Sequence, residues 1–101
     1  MGVSNEYKAD TDSQEKIKEP ELYKVILLND DYTSMDFVVE VLVTIFHHPI
    51  EKAINTMLKI HREGEGVCGI YTYEIAETKV EQVRRKAREN EYPLRAKMEK
   101  A

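Results

Sequence analysis

Leu22-Tyr-Lys-Val-Ile-Leu-Leu-Asn-Asp-Asp-Tyr-Thr-Ser-Met-Asp-Phe37 runs from an apolar segment straight into an acidic turn and out again into helix-forming sequence. Leu22 to Leu28 is an almost unbroken apolar run, which suits a central strand covered on both faces or nearly so. Thr33 reads as the N-cap of the helix that follows. Asp36 stands where a capping box has its carboxylate, and Tyr32 and Phe37 are placed as a hydrophobic staple. Between strand and helix, Asn29, Asp30 and Asp31 offer a cluster of oxygen acceptors with no Lys or Arg beside them. Such a cluster is equipped to hold a cation, for example an amine.

Outward from this stretch, Met35, Val38, Leu42 and Ile45 recur at helical spacing until His47, His48 and Pro49 interrupt the run. Pro49 suits the first turn of a second helix, Glu51 complements its N-terminal dipole, and Gly64 stops it. Ile50, Ile54, Met57, Leu58 and His61 form its expected buried stripe. Val67 to Glu74 alternates with β-branched and aromatic residues as a second strand, in which Gly69 marks a bulge or a close backbone approach. From Glu74 to Asn90, Ala76, Val80, Val83 and Ala87 trace a narrow stripe on a charged third helix, closed by Pro93. Leu94 to Lys100 alternates apolar and basic residues like a half-exposed edge strand. The expectation is an α+β domain over residues 21–101, three strands and three helices in the order β-α-α-β-α-β. Residues 1–20 alternate charged and small polar types without either period and are expected to form a flexible N-terminal extension.

Composition narrows the function. A chain of 101 residues is one domain with a single modest core. Its net charge of -4 and pI near 5.4 argue against nucleic acid or an anionic membrane as the main partner. Arg84-Arg85-Lys86-Ala87-Arg88 is the one basic stretch, but Glu81, Glu89 and Glu91 flank it, so it reads as a solvated helix face. The single cysteine, Cys68, excludes an intramolecular disulfide and fits a reducing, cytoplasmic setting. No apolar run approaches the roughly 18 residues of a membrane span. Adjacent histidines at 47 and 48, with no His-x3-His pair, make a poor metal site. Cys68 paired with His61 lacks the orienting and oxyanion groups of nucleophilic catalysis. The chain reads as a binder, not an enzyme, with no cofactor or metal and no demand for more than a monomer.

If the first two helices pack together, Asn29, Asp30, Asp31 and His61 converge beside an apolar patch of Met35, Val38, Met57 and Ile60. An α-ammonium group has three donors, matching an amide oxygen, a carboxylate and a neutral imidazole nitrogen. The patch would take the first side chain of a peptide. Carboxylates before a helix also serve as caps and dipole partners, and His61 also reads as a satisfied core histidine. Both readings stand on residue types alone.

The segments YKVILLNDDYTSMDFV, MLKIH, VCGIYTYEIAETK and RENEYPLRAKMEKA, in order over about residues 22–101, together resemble ClpS, the bacterial N-end rule adaptor of Clp proteases. The resemblance implies three antiparallel strands with three helices. It implies binding of proteins with a free N-terminal Leu, Phe, Tyr or Trp (an N-degron) and their delivery to a Clp-type AAA+ unfoldase, with the extension assisting transfer. Asn29, Asp31 and His61 would hold the α-ammonium, and Asp30 would add charge or bond the second residue. Thr33, Met35, Val38, Met57, Ile60 and Leu94 would line the side-chain pocket, and Glu74 and Lys79 match positions that contact the unfoldase. Ser34 stands where the family's NDDxTPMEF pattern has Pro, Asp36 where it has Glu, and Ile60 where Val is frequent. The alternative is a scaffold that modulates the unfoldase without reading N-terminal residues, its acidic run a helix cap.

Overall fold

The computed structural model describes residues 19–101. The expected extension therefore lies, but for Glu19 and Pro20, outside the described residues. The remainder is β1 (Leu22–Leu28), α1 (Met35–Thr44), α2 (Ile50–Glu63), β2 (Glu65–Thr72), α3 (Tyr73–Glu89) and β3 (Arg95–Lys100), the expected order. The sheet is antiparallel throughout, with β1 in the middle of the order β2-β1-β3.

β1 is covered on both faces, as its apolar run predicts. Alternate residues Val25 and Leu27 join one core with Phe37, Val41 and Leu42 of α1, Ala53, Met57 and Ile60 of α2, and Ala76, Val83 and Ala87 of α3. Ile26 points away from that core, yet is 2 % exposed. Its cross-strand neighbours are Val67 and Lys97, and Lys97 reaches Glu65 at 3.4 Å and Glu99 at 2.9 Å. Among the described residues, flanking side chains cover this face of the central strand.

α1 begins one residue later than Thr33. Ser34 is the N-cap, its hydroxyl accepting from the Phe37 amide at 3.1 Å. The Thr33 hydroxyl has another partner, Asp36 is not in capping-box position, and Tyr32, 81 % exposed, forms no staple. Ser34 thus supplies the cap that the family's Pro cannot, since Pro has no hydroxyl.

α2 is rotated relative to the expected stripe. Ala53, Met57 and Ile60 face the core at i, i+4 and i+7, while Ile50, Ile54 and His61 are exposed. Ala53, being small, lets the helix approach closely, and an apolar count that favours large residues passes it over. Gly64 ends α2 in the left-handed conformation with its amide on the Ile60 carbonyl, as the sequence predicts.

The expected irregularity at Gly69 is present as a bulge. Val25 pairs with Gly69 and Ile26 with Val67, leaving Cys68 as the extra residue. A Cβ on Gly69 would collide with the end of the Tyr71 side chain, so the close neighbour is a side chain and not backbone. The chain before α2 reaches across to this bulge. His47 sits at φ 58°, and the His48 that follows is buried, its Nε2 2.7 Å from the Cys68 carbonyl. A carbonyl only accepts, so Nε2 carries the proton. Sequence reading treats His48 as a helix breaker, whereas here it is a core residue. Cys68 is buried, and burial pushes its thiol up to about 12, which keeps it protonated and inert as expected.

Candidate amine-binding cleft

The strand-to-helix loop is held at both ends. The Asn29 amide donates to the Gly64 carbonyl at 2.9 Å, tying the exit of β1 to the end of α2. Asp30 then folds the loop on itself. Its Oδ1 accepts from the Tyr32 and Thr33 amides at 2.8 and 2.7 Å, and its Oδ2 accepts from the Thr33 hydroxyl at 2.7 Å. These are the bonds of an Asx turn, with a third added by threonine.

Asp30 therefore has a structural task, closing the loop as an Asx turn and not serving as the helix N-cap. The premise that no cation stands near also needs correction. Strand pairing of Leu28 with Arg95 brings a guanidinium toward the loop. Burial pushes the Asp30 carboxyl up, but the Thr33 hydroxyl, the two amides and the Arg95 charge together outweigh it and hold the carboxyl below its ordinary value. A depressed carboxyl contributes stability that is fully present above its unfolded value, near 3.9, and is lost as pH falls through the folded one. The urea midpoint of the parent should thus fall as pH drops from about 4. Asp30→Asn, which keeps an acceptor but cannot titrate, should show a shallower decline, and equal slopes would remove Asp30 as the cause.

Beyond this loop, the first turns of α1 and the last turns of α2 enclose a cleft of about 240 Å3 lined by Asn29, Asp30, Asp31, Thr33, Met35, Val38, Met57, Ile60 and His61. All four residues expected at the amine and five of the six expected at the side chain are in this lining. Leu94 is not among them. It is buried in the core and lines a separate groove with Leu28, Val80 and Arg84.

The two ends of the cleft differ chemically. Val38, Met57 and Ile60 are each under 10 % exposed and form an apolar floor, with half-exposed Met35 at its edge. Asn29, Asp31 and His61 are exposed at the rim, and their side chains make no hydrogen bond or ion pair among the described residues. No Lys or Arg lines the cleft. Asp31 is the carboxylate with neither oxygen partnered among the described residues, whereas Asp30 already accepts three bonds and keeps spare capacity on Oδ2. Ligand cavities for drug-sized molecules span about 300–1,000 Å3, so this one suits a single residue's side chain.

Glu74 and Lys79 lie away from the cleft, on α3. Glu74 is exposed, whereas the Lys79 ammonium is partly buried, donates to the Ile45 carbonyl at 2.6 Å and lies 5.7 Å from the centre of the Tyr71 ring. Lys79 thus caps the end of α1, a role its sequence position does not show. Among the described residues no group of three or more His, Cys, Asp or Glu is arranged to hold a metal, and no helix is long and apolar enough to cross a membrane.

Comparison with known proteins bears on this arrangement. Residues 18–97 match the family model described as ATP-dependent Clp protease adaptor protein ClpS. The ATP-dependent Clp protease adapter protein ClpS of Syntrophus aciditrophicus is 58 % identical over 86 residues, 85 % of this chain and 80 % of that protein. Its counterpart in Wolinella succinogenes is 60 % identical over 83 residues, 82 % of this chain and 81 % of that one. The solved structure of Agrobacterium tumefaciens ClpS2 bound to L-phenylalaninamide superposes with a TM-score of 0.79 at 37 % identity, covering 82 % of this chain and all of the other. The chain belongs to the ClpS family of ATP-dependent Clp protease adaptors.

Proposed function

We propose that this adaptor binds proteins through a free N-terminal Leu, Phe, Tyr or Trp and delivers them to a Clp-type AAA+ unfoldase in the cytoplasm, acting as a monomer. The observation that carries the reading is the cleft itself, in which uncommitted acceptors on Asn29, Asp31 and His61 stand at the mouth of an apolar floor. An N-terminal residue is the one part of a polypeptide that joins a cation with three donors to a side chain on the same carbon. An internal residue offers an uncharged amide with a single donor and would leave Asp31 unanswered. The related ClpS2 binds L-phenylalaninamide, which has the same pairing of a free amine and an apolar side chain.

In this reading Thr33, Met35, Val38, Met57 and Ile60 receive the side chain, and Asp30 shapes the loop and adds negative charge to the cleft. Delivery uses a second surface, with Glu74 on the exposed side of α3 meeting the unfoldase and Lys79 fixing α1 against α3 beside it. The test is fluorescence anisotropy with a labelled peptide starting with free Phe, the same peptide N-acetylated, and a third starting with Ile. Acetylation removes the charge and donors together and should weaken binding by roughly 100-fold or more, because it breaks charge-assisted bonds to Asn29, Asp31 and His61 at once. Resemblance to the family implies that Ile also binds poorly, since a branch at Cβ puts a methyl beside the backbone where the first residue enters. Equal binding of the acetylated peptide would favour the scaffold alternative.

A further inference from the structure

Ile60 forms the floor of the cleft, is 2 % exposed, and has β2 directly behind it. The residue on β2 that meets it is Gly66, which is buried on the helix-facing side of the strand, opposite Leu27. A Cβ added at Gly66 would lie 2.8 Å from Ile60 Cγ1, 3.7 Å from Cδ1 and 3.8 Å from the Ile60 backbone nitrogen. The first distance is too short for two carbons, so one partner must move. Gly66 is not at positive φ, so its backbone accepts alanine and the only obstacle is Ile60.

The strand cannot retreat. Gly66 is paired with Leu27 in the central ladder, its carbonyl accepts from the Cys68 thiol at 3.6 Å, and the next residues form the bulge that His48 pins through the Cys68 carbonyl. The Gly64 carbonyl just before it is held by the Asn29 amide. Ile60 also belongs to the packed core, where close-packed neighbours leave little room. The void that Ile60 itself lines is the cleft.

We infer that Gly66, which touches no substrate, is a specificity-determining position: the absence of a side chain there lets Ile60 sit back against β2 and sets the depth of the cleft. This rests on the reading of the cleft as a site for an N-terminal side chain. A residue larger than Gly at 66 drives Ile60 forward and shortens the floor, at the expense of the largest side chains. Gly66 is thus a positioning residue that acts through Ile60.

The experiment is a cycle of Gly66→Ala, Ile60→Ala and the double variant, with anisotropy on peptides starting with free Trp, Phe and Leu. Loss of about one methylene of depth should reduce binding of Trp and Phe relative to Leu by about tenfold or more in Gly66→Ala. In the Ile60→Ala background, where Cγ1 is gone, the same change should leave the ranking unaltered. An unchanged ranking in folded Gly66→Ala overturns the inference. So does failure of Gly66→Ala to fold when the double variant folds, because Ile60 then yields toward the core and not into the cleft. A second readout stands apart from peptide binding, namely the Ile60 δ1-methyl resonance in selectively labelled protein. New methyl contacts to Met35 or Thr33 across the cleft in Gly66→Ala are expected, and a methyl that does not move overturns the inference. If the parent itself prefers no free amine, the proposed function fails while the methyl result still decides the role of Gly66.

Discussion

Asp31→Ala should weaken binding of a peptide with a free N-terminal Phe by roughly 30- to 150-fold while leaving the urea midpoint where it is in the parent. The size follows from a hydrogen bond between charged partners, about 2–3 kcal/mol. The selectivity for binding over stability follows from geometry. Asp31 is exposed and makes no hydrogen bond or ion pair among the described residues, so the folded chain loses nothing when it goes. Asp30, one residue earlier, should behave in the opposite way. Its two oxygens hold two amides and a hydroxyl, and Asp30→Ala should cost on the order of 1–2 kcal/mol of stability, as for other lost caps. Its effect on binding would come through a loosened loop. His61→Ala should resemble Asp31→Ala. Parallel anisotropy and urea titrations on the three variants check this. If Asp31→Ala binds like the parent, or Asp30→Ala is fully stable, the division of labour between the two carboxylates is wrong.

His48→Ala should destabilise the domain by about 3–5 kcal/mol, combining the cavity left by a buried ring with an unsatisfied buried carbonyl. A domain of this size has on the order of 4–12 kcal/mol in all, so the loss takes from about a quarter to the whole of it and should show as a large fall in the urea midpoint. The ring is 5 % exposed and its Nε2 proton is given to Cys68, the extra residue of the β2 bulge. Without that donor the bulge loses its anchor, and the register of the residues behind Ile60 is no longer held. Two further variants separate volume from hydrogen bonding. His48→Phe fills the space but leaves the carbonyl alone, while His48→Gln keeps a donor at similar reach with less volume. Each should recover only part of the loss in a urea melt. Full stability of His48→Phe would show that the bond to Cys68 contributes nothing.

The fold was readable in the sequence because its signals are local. The apolar run of β1, Gly64 at the end of α2, the alternation of β2 and the stripe of Ala76, Val83 and Ala87 each report a period or a terminator within a few residues. The cleft lining was legible too, partly from residue types and partly through resemblance to a family whose motifs place these residues together.

What the sequence could not express is which of several chemically equivalent residues is already committed. Thr33 and Ser34 can both cap a helix, and only the folded loop shows Ser34 capping while Thr33 serves Asp30. Asp30 and Asp31 are identical as types and both line the cleft, yet one holds two amides and a hydroxyl while the other has no partner among the described residues, with Arg95 delivered to Asp30 by a strand more than sixty residues on. The same holds for Lys79 on the Ile45 carbonyl, His48 on the bulge and Gly66 behind Ile60. The sequence by itself determined the elements and their order, and it made the residues that line the cleft legible. Tertiary structure alone decided which polar groups remain free and how deep the cleft is, because hydrogen bonds and close contacts between distant segments depend on spatial proximity, which neither residue type nor periodicity encodes.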